Sequence, residues 1–211
     1  MSQDNAPMTS QKLLVQLIRQ KFDSPGKIED SRNIAWQLVK DGADPFKPTE
    51  GPSERKTTPL ILAACAGHLH FLELFLRMQN ADLTFVDYDD EDALLAAVFA
   101  GKIECARALL GKTPPSQLGL VNVHGESALT ASLPFMTREL TLGIANKLDP
   151  ENYEAAIGQL ARFKSNQDND AWLEMTEAAL SCLNALIEAG AIENSCREAA
   201  PNAAAAARRA L

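Results

Sequence analysis

An internal repeat with a period of about 34 residues constrains the fold of this 211-residue chain more than any other feature of its sequence. The clearest copy begins at Thr58, passes through an alanine-rich stretch and continues beyond Gly67 into leucines at helical spacing. A second copy begins at Asp92, and its Gly101 follows Gly67 by 34 residues. A third, degraded copy begins near Ser127, 35 residues after Asp92. This period is typical of stacked repeats, each built from two short helices and a turn.

Each copy carries the signals for two antiparallel helices. Thr58 can cap a helix with its hydroxyl group, and Pro59 then occupies the first helical position, where a missing N–H costs nothing. Gly67 can adopt a positive φ angle and end this helix, and leucines at helical spacing follow on a second helix. Because helices shorter than about 12 residues are not stable alone, each pair must bury its apolar face against the next pair.

The residues of the first copy resemble an ankyrin repeat. The segments that carry the resemblance are Thr-Pro-Leu at 58–60, Leu-Ala-Ala at 62–64, Gly-His at 67–68 and Ala-Asp at 81–82. The match covers residues 58–87 most fully, residues 92–111 less fully and the rest of the chain only in fragments. It implies an all-α, ankyrin-like solenoid with finger-like turns, whose concave face of fingers and inner helices binds another protein.

Paired helical patterns also occur outside the clear repeats, so we predict about five stacked helix pairs. They span residues 9–41, 58–79, 92–111, 126–148 and 150–190, with the second helix of the chain starting near Ile28 and the longest helix covering residues 170–189. The outer pairs are longer and less regular, as capping units are. We therefore predict one solenoid domain over residues 1–193 and an alanine-rich tail over residues 194–211 that is a frayed helix or disordered.

The resemblance implies which residues contact a partner, namely the finger residues before each inner helix and the last residues of that helix. They are Glu54, Arg55, Thr57, Cys65 and Ala66 in the first repeat, Tyr88, Asp89, Glu91, Phe99 and Ala100 in the second, and Val123, His124 and Glu126 in the third. Tyr88 and Phe99 are the expected anchors, because exposed aromatic residues dominate binding hot spots.

The chain departs from the ankyrin pattern at three positions. Ile61 stands where the family usually has a histidine that ties neighbouring fingers by hydrogen bonds. Lys56 and Asp90 stand where a turn glycine is usual.

A dense run of carboxylates precedes the second inner helix. Five of the six residues from Asp87 to Asp92 are acidic, and Phe85 and Tyr88 are interleaved with them. Two interpretations stay open: a solvated turn, or an acidic finger that steers a partner with a basic patch. The aromatic residues favour the finger, since interface cores are enriched in them, and Phe85 joins the candidate contact residues. A 12-residue calcium loop is not predicted, because its glycine turn and late glutamate are absent.

Charge and motif spacing argue against other classes of function. The net charge of −8 disfavours nucleic-acid binding, which needs a basic face, and no apolar run approaches the roughly 18 residues of a membrane span. His68 and His70 lie two apart on a helix and so cannot face one metal ion. The glycine of Gly111-Lys112-Thr113 ends a helix where a phosphate-binding loop would follow a strand. We therefore expect no cofactor, no metal site and no catalysis.

The favoured function is a protein–protein interaction module, with a monomer as the favoured oligomeric state. One alternative is a structural subunit that self-assembles through the helix carrying Trp172. The other is an enzyme with a site in residues 134–190, where a buried carboxylate pair would support it and uniformly exposed carboxylates would not. Cysteines without paired spacing and a start without a secretory signal indicate a cytoplasmic protein, or one delivered into a host cytosol if it is a bacterial effector.

Overall fold

In a computed structural model of the chain, residues 9–48, 56–166 and 169–208 are described, with side chains up to residue 190. The α-helices within these ranges are α1 Ser10–Ile18, α2 Pro25–Lys40, α3 Pro59–Ala66, α4 Leu69–Phe75, α5 Ala93–Phe99, α6 Ile103–Leu110, α7 Ala128–Phe135, α8 Arg138–Lys147, α9 Tyr153–Ser165 and α10 Asp170–Arg208. Short 3-10 turns occur at Pro115–Gln117 and Pro150–Asn152. The fold of these ranges is all-α.

The helices stack as pairs in two layers. In the inner layer α1 packs on α3, α3 on α5, α5 on α7 and α7 on α9, whereas in the outer layer α2 packs on α4, α4 on α6 and α6 on α8. The last helix, α10, closes the end of the stack by packing on α7, α8 and α9. The prediction of an ankyrin-like α-solenoid with about five helix pairs is confirmed.

Side-chain caps set where the inner helices begin. The Thr58 hydroxyl accepts a hydrogen bond from the Ile61 N–H at 3.2 Å, and the Asp92 carboxylate accepts one from the Leu95 N–H at 2.8 Å. The same logic operates at α2, where Ser24 is the capping residue and a proline follows it. This helix therefore begins three residues before the predicted start at Ile28.

One continuous apolar core runs through the stack from α1 to α10. Ala63, Ala64 and Ala97 are fully buried between inner helices, and their small side chains let those helices approach closely. Phe71 and Phe75 fill the space behind them and are also fully buried. The inner helices are therefore held at a fixed spacing, which fixes the spacing of the fingers that precede them.

Candidate partner-binding face

The second finger, residues 85–92, is a tight turn closed by one of its own carboxylates. The Asp87 N–H donates to the Glu91 carbonyl at 3.0 Å. The Asp87 carboxylate accepts hydrogen bonds from the N–H groups of Asp89 and Glu91 at 2.9 and 3.1 Å. The carboxylate of Asp87 is therefore engaged within the finger, which leaves Asp89 and Asp90 at the turn.

The third finger, residues 120–127, repeats this geometry 35 positions later. The Asn122 N–H donates to the Glu126 carbonyl at 3.0 Å, and the Asn122 side-chain oxygen accepts from the N–H groups of His124 and Glu126, both at 3.0 Å. Gly125 has a φ angle of 76°, and Asp90 has 59° at the equivalent position of the second finger. The departure from glycine at Asp90 thus leaves the left-handed turn intact.

Asp90 carries a backbone cost in this conformation, which a glycine would remove. Asp90→Gly is expected to raise the free energy of unfolding by about 0.5–1 kcal/mol, because relief of left-handed strain outweighs the entropy that glycine adds to the unfolded chain. Urea unfolding checks the change. Asp90→Asn is the matched control, because it removes the charge but keeps the side chain. Destabilisation by Asp90→Gly would contradict the account of this turn.

The two fingers are joined to each other by hydrogen bonds. The Val123 N–H donates to the Asp89 carbonyl at 3.1 Å, and the Asn122 side-chain amide donates to the Glu91 carboxylate at 3.3 Å. Burial raises the pKa of Glu91, with Asp87 and Asp89 adding to the rise and the Asn122 bond opposing it. These bonds hold the second and third fingers together.

Apolar side chains project from equivalent positions of the two fingers. Tyr88 is 74% exposed and Val123 is 56% exposed. Leu120 and Val121, at the start of the third finger, are also exposed and were not predicted from the sequence. Because single exposed apolar residues are common but a cluster of them is not, this edge is the best candidate for a partner contact.

The ends of the inner helices supply the rest of the face. Cys65 and Ala66 are exposed at the end of α3, whereas Phe99 and Ala100 are half-buried at the end of α5, and Phe99 packs against the core.

Phe135, at the end of α7, is 50% exposed and was missed by the sequence analysis. It lies eight residues after its capping Ser127, as Ala66 does after Thr58. The number of residues from the capping residue therefore identifies Phe135 as a candidate contact position.

The remaining predicted contact residues divide by burial. Thr57 is buried beside the cap of α3, so its side chain contributes to the fold. Phe85 is half-buried, and the ammonium group of Lys56 lies 5.3 Å from its ring centroid. His124 is exposed and Glu126 is half-buried. Glu54 and Arg55 lie outside the described residues.

Asp92 differs from the other acidic residues of the second finger because its side chain is buried. Burial raises its pKa to about 6, although hydrogen bonds from the N–H groups of Leu95 and Leu94 oppose the rise. Thr58 and Ser127 cap the neighbouring inner helices with neutral hydroxyl groups. Asp92 therefore caps α5, and its buried carboxylate is not part of the acidic surface of the finger.

The carboxylates that could have supported an enzyme in residues 134–190 are on the surface. They include five exposed glutamates, namely Glu139, Glu151, Glu154, Glu174 and Glu177. Glu177 accepts a hydrogen bond from the Lys164 ammonium group at 2.8 Å. Because all five are exposed, they lack the buried environment that shifts the pKa of catalytic carboxylates.

Within the part of the chain that the structure describes, no three His, Cys, Asp or Glu side chains are placed to hold a metal ion. Over the same residues, no helix combines the length and apolar character that crossing a membrane requires.

A comparison with protein families finds a match to less than half of the chain. A family model described as ankyrin repeats, in three copies, covers residues 27–118. The matched range starts in α2 and ends after the 3-10 turn at Pro115–Gln117, so it contains the whole second finger. The third finger and helices α7 to α10 lie beyond it and continue the same two layers.

Proposed function

Residues 27–118 of this chain match a family model of three ankyrin repeats, and we propose that the face made by the fingers and inner-helix ends binds a second protein. Ankyrin repeats are generally protein–protein interaction modules. The observation that carries the proposal is the pair of hydrogen-bonded fingers, from which Tyr88 and Val123 project side by side in the repeat register.

The chemistry of the face indicates its partner. Tyr88, Val123 and Phe135 offer apolar anchors at the fingers and at the end of α7. Asp89 and Asp90 surround the first anchor with negative charge. A partner with apolar side chains next to a basic patch complements this pattern, since opposite charges raise the association rate and apolar anchors supply affinity.

The rigidity of the face supports binding by shape and charge complementarity. The links from Val123 to Asp89 and from Asn122 to Glu91 hold the fingers before any partner arrives. A preformed surface loses less conformational entropy on association than a mobile one. We propose no cofactor and no catalytic step for this module.

Tyr88→Ala and Phe135→Ala are each expected to weaken the complex about tenfold or more, because truncation of an anchor at an interface centre typically has this effect. Partners recovered from cell extract and identified by mass spectrometry would be purified and titrated by calorimetry. Ile187→Ala, an exposed apolar residue on α10, is the matched control. Wild-type affinity in the Tyr88→Ala/Phe135→Ala double variant would overturn the proposal.

We also propose that the module is a cytoplasmic monomer. The Trp172 side chain, suggested as a self-assembly site, is half-buried and its ring centroid lies 6.4 Å from that of Phe163 in the same chain. Cys65, Cys105 and Cys182 are free thiols, which suits a reducing compartment such as the cytosol. Light scattering at several concentrations tests the monomer, and a mass that grows with concentration would contradict it.

A further inference from the structure

A groove of about 420 Å³ lies in the outer layer, between α2 and the end of α4. The groove is lined by polar and apolar side chains, namely Glu29, Arg32, Asn33, Trp36, Leu74, Arg77 and Met78. Neither finger contributes to this lining, and the function proposed above does not use the groove.

The part of the groove formed by α2 is a continuous stripe. Glu29, Arg32, Trp36 and Lys40 follow one another at spacings of three or four residues, which places them on one side of a helix. Trp36 is exposed, although a residue of this size is usually covered. The Lys40 ammonium group lies 5.2 Å from its ring centroid. The indole ring of Trp36 therefore faces solvent, with Arg32 one helical turn before it and Lys40 one turn after it.

Two arginines give the groove its binding chemistry. Across the described residues, the salt bridges involve Lys47 with Asp44, Arg107 with Glu104 and Lys164 with Glu177, so Arg32 and Arg77 have no carboxylate within 4.0 Å. In a chain with a net charge of −8, a groove whose charged lining residues are two arginines outside these salt bridges and the single carboxylate of Glu29 is unexpected. Guanidinium groups bind carboxylates through paired hydrogen bonds, and Arg and Trp are enriched in binding hot spots.

We infer that this groove binds an acidic peptide segment of a partner protein, in which one large apolar side chain is flanked by carboxylates. The apolar side chain packs against Trp36, Leu74 and Met78, and the carboxylates pair with Arg32 and Arg77. The Asn33 amide is available for the peptide backbone. This groove has the opposite charge preference to the acidic finger face.

Trp36 itself reports on the groove once Trp172, the second tryptophan of the chain, is replaced by phenylalanine. In the 211-residue chain with Trp172→Phe, Trp36 fluorescence is titrated with a synthetic peptide acetyl-Glu-Asp-Phe-Asp-Glu-amide. The comparison probe is the same peptide with Gln and Asn in place of Glu and Asp. We expect a saturable change with the acidic peptide and a change at least tenfold weaker with the neutral one. Equal binding of both peptides, or no saturation with either, overturns the inference.

Arginine variants locate the binding in the groove. Arg32→Gln and Arg77→Gln are each expected to weaken acidic-peptide binding about tenfold, within the range measured for close charge pairs at interfaces. The matched control is Arg107→Gln, because Arg107 lies on the next outer helix and already contacts Glu104 at 3.0 Å. Circular dichroism and thermal unfolding establish that each variant is folded. An equal loss in Arg107→Gln, or unchanged binding in the Arg32→Gln/Arg77→Gln double variant, contradicts the assignment.

Discussion

Phe71→Ala is expected to lower the free energy of unfolding by about 3–5 kcal/mol, the cost of removing a fully buried phenylalanine and leaving a cavity. Phe71 has no solvent exposure. Its ring centroid lies 5.6 Å from that of Phe22, 4.1 Å from that of His70 and 6.2 Å from that of Phe75. It therefore joins the loop after α1 to the first clear repeat, and its loss weakens both.

Phe135→Ala is the matched control for this prediction. Phe135 is half exposed, so the same substitution there is expected to change the stability by less than about 1 kcal/mol. Urea unfolding at pH 7, followed by circular dichroism, measures both variants. Similar losses for the two variants would contradict the placement of Phe71 in the core and of Phe135 on the surface. In the binding experiment Phe135→Ala is instead the variant expected to have an effect, because Phe135 is an anchor of the partner contact.

Acidification from pH 7 to pH 4 is expected to lower the free energy of unfolding by about 2 kcal/mol through His70 alone, because solvent screening at this half-buried ring reduces the roughly 3 kcal/mol that its full pKa shift would give. Burial, with smaller contributions from the nearby His68 and Arg32, lowers the pKa of His70 from 6.5 to about 4. The unfolded chain therefore binds a proton from pH 6.5 downward, whereas the folded protein resists it until about pH 4. The stability is present above pH 6.5 and is lost as the pH falls, at no more than about 1.4 kcal/mol for each unit of pKa difference.

The measurement is the free energy of unfolding of wild type and His70→Gln at intervals from pH 7 to pH 4. Glutamine does not titrate, and its amide can replace the contact of 3.3 Å between the His70 ring nitrogen and the Ser31 hydroxyl. The difference between the two curves should change by about 2 kcal/mol over this range. A difference that stays constant down to pH 4 would contradict the neutral state of the half-buried His70.

Asp92 acts in the opposite direction over part of the same pH range. Its pKa is raised to about 6 in the folded protein, so its contribution to stability is present below the unfolded pKa near 3.8 and is lost as the pH rises through 6. The two effects partly cancel in wild type. Asp92→Asn, which keeps an acceptor for the Leu95 N–H, provides a difference curve of opposite sign and tests that the subtraction separates the residues.

The repeat register was predictable from the sequence because local physical rules decide it. Thr58, Pro59 and Gly67 specify a capped helix and its end within ten residues, and the distance of 34 residues to Gly101 supplies the period. The predicted start of α2 near Ile28 is three residues late, because the helix begins at the Ser24-Pro25 signal. That signal is of the same kind as Thr58-Pro59.

The candidate face was predictable only in part, because exposure depends on contacts between repeats. The positions of Tyr88 and Val123 followed from the repeat register. Phe135 was missed because Met136 replaces the glycine that marks the end of the two earlier inner helices. The side chains of Asp87 and Asp92 resemble their acidic neighbours in sequence, but one closes the turn and the other caps α5.

The groove could not be predicted from the sequence because it joins residues about 40 positions apart. Arg32 lies on α2 and Arg77 follows α4, and the predicted stacking of these helices does not by itself indicate that both arginines line one groove. That neither arginine forms a salt bridge with a described carboxylate is likewise a property of the folded chain. The repeat motif therefore predicts the helices but not the side chains that meet on the surface between two repeats.

Site-specific photocrosslinking tests the central claim most directly, because it records which surface the partner touches. A benzophenone amino acid is placed at Tyr88, at Phe135 and, as a control, at Arg107 on an outer helix, and each protein is irradiated with its purified partner. The account predicts adducts from positions 88 and 135 and none from position 107. Adducts from position 107 without any from position 88 would show that the partner binds elsewhere.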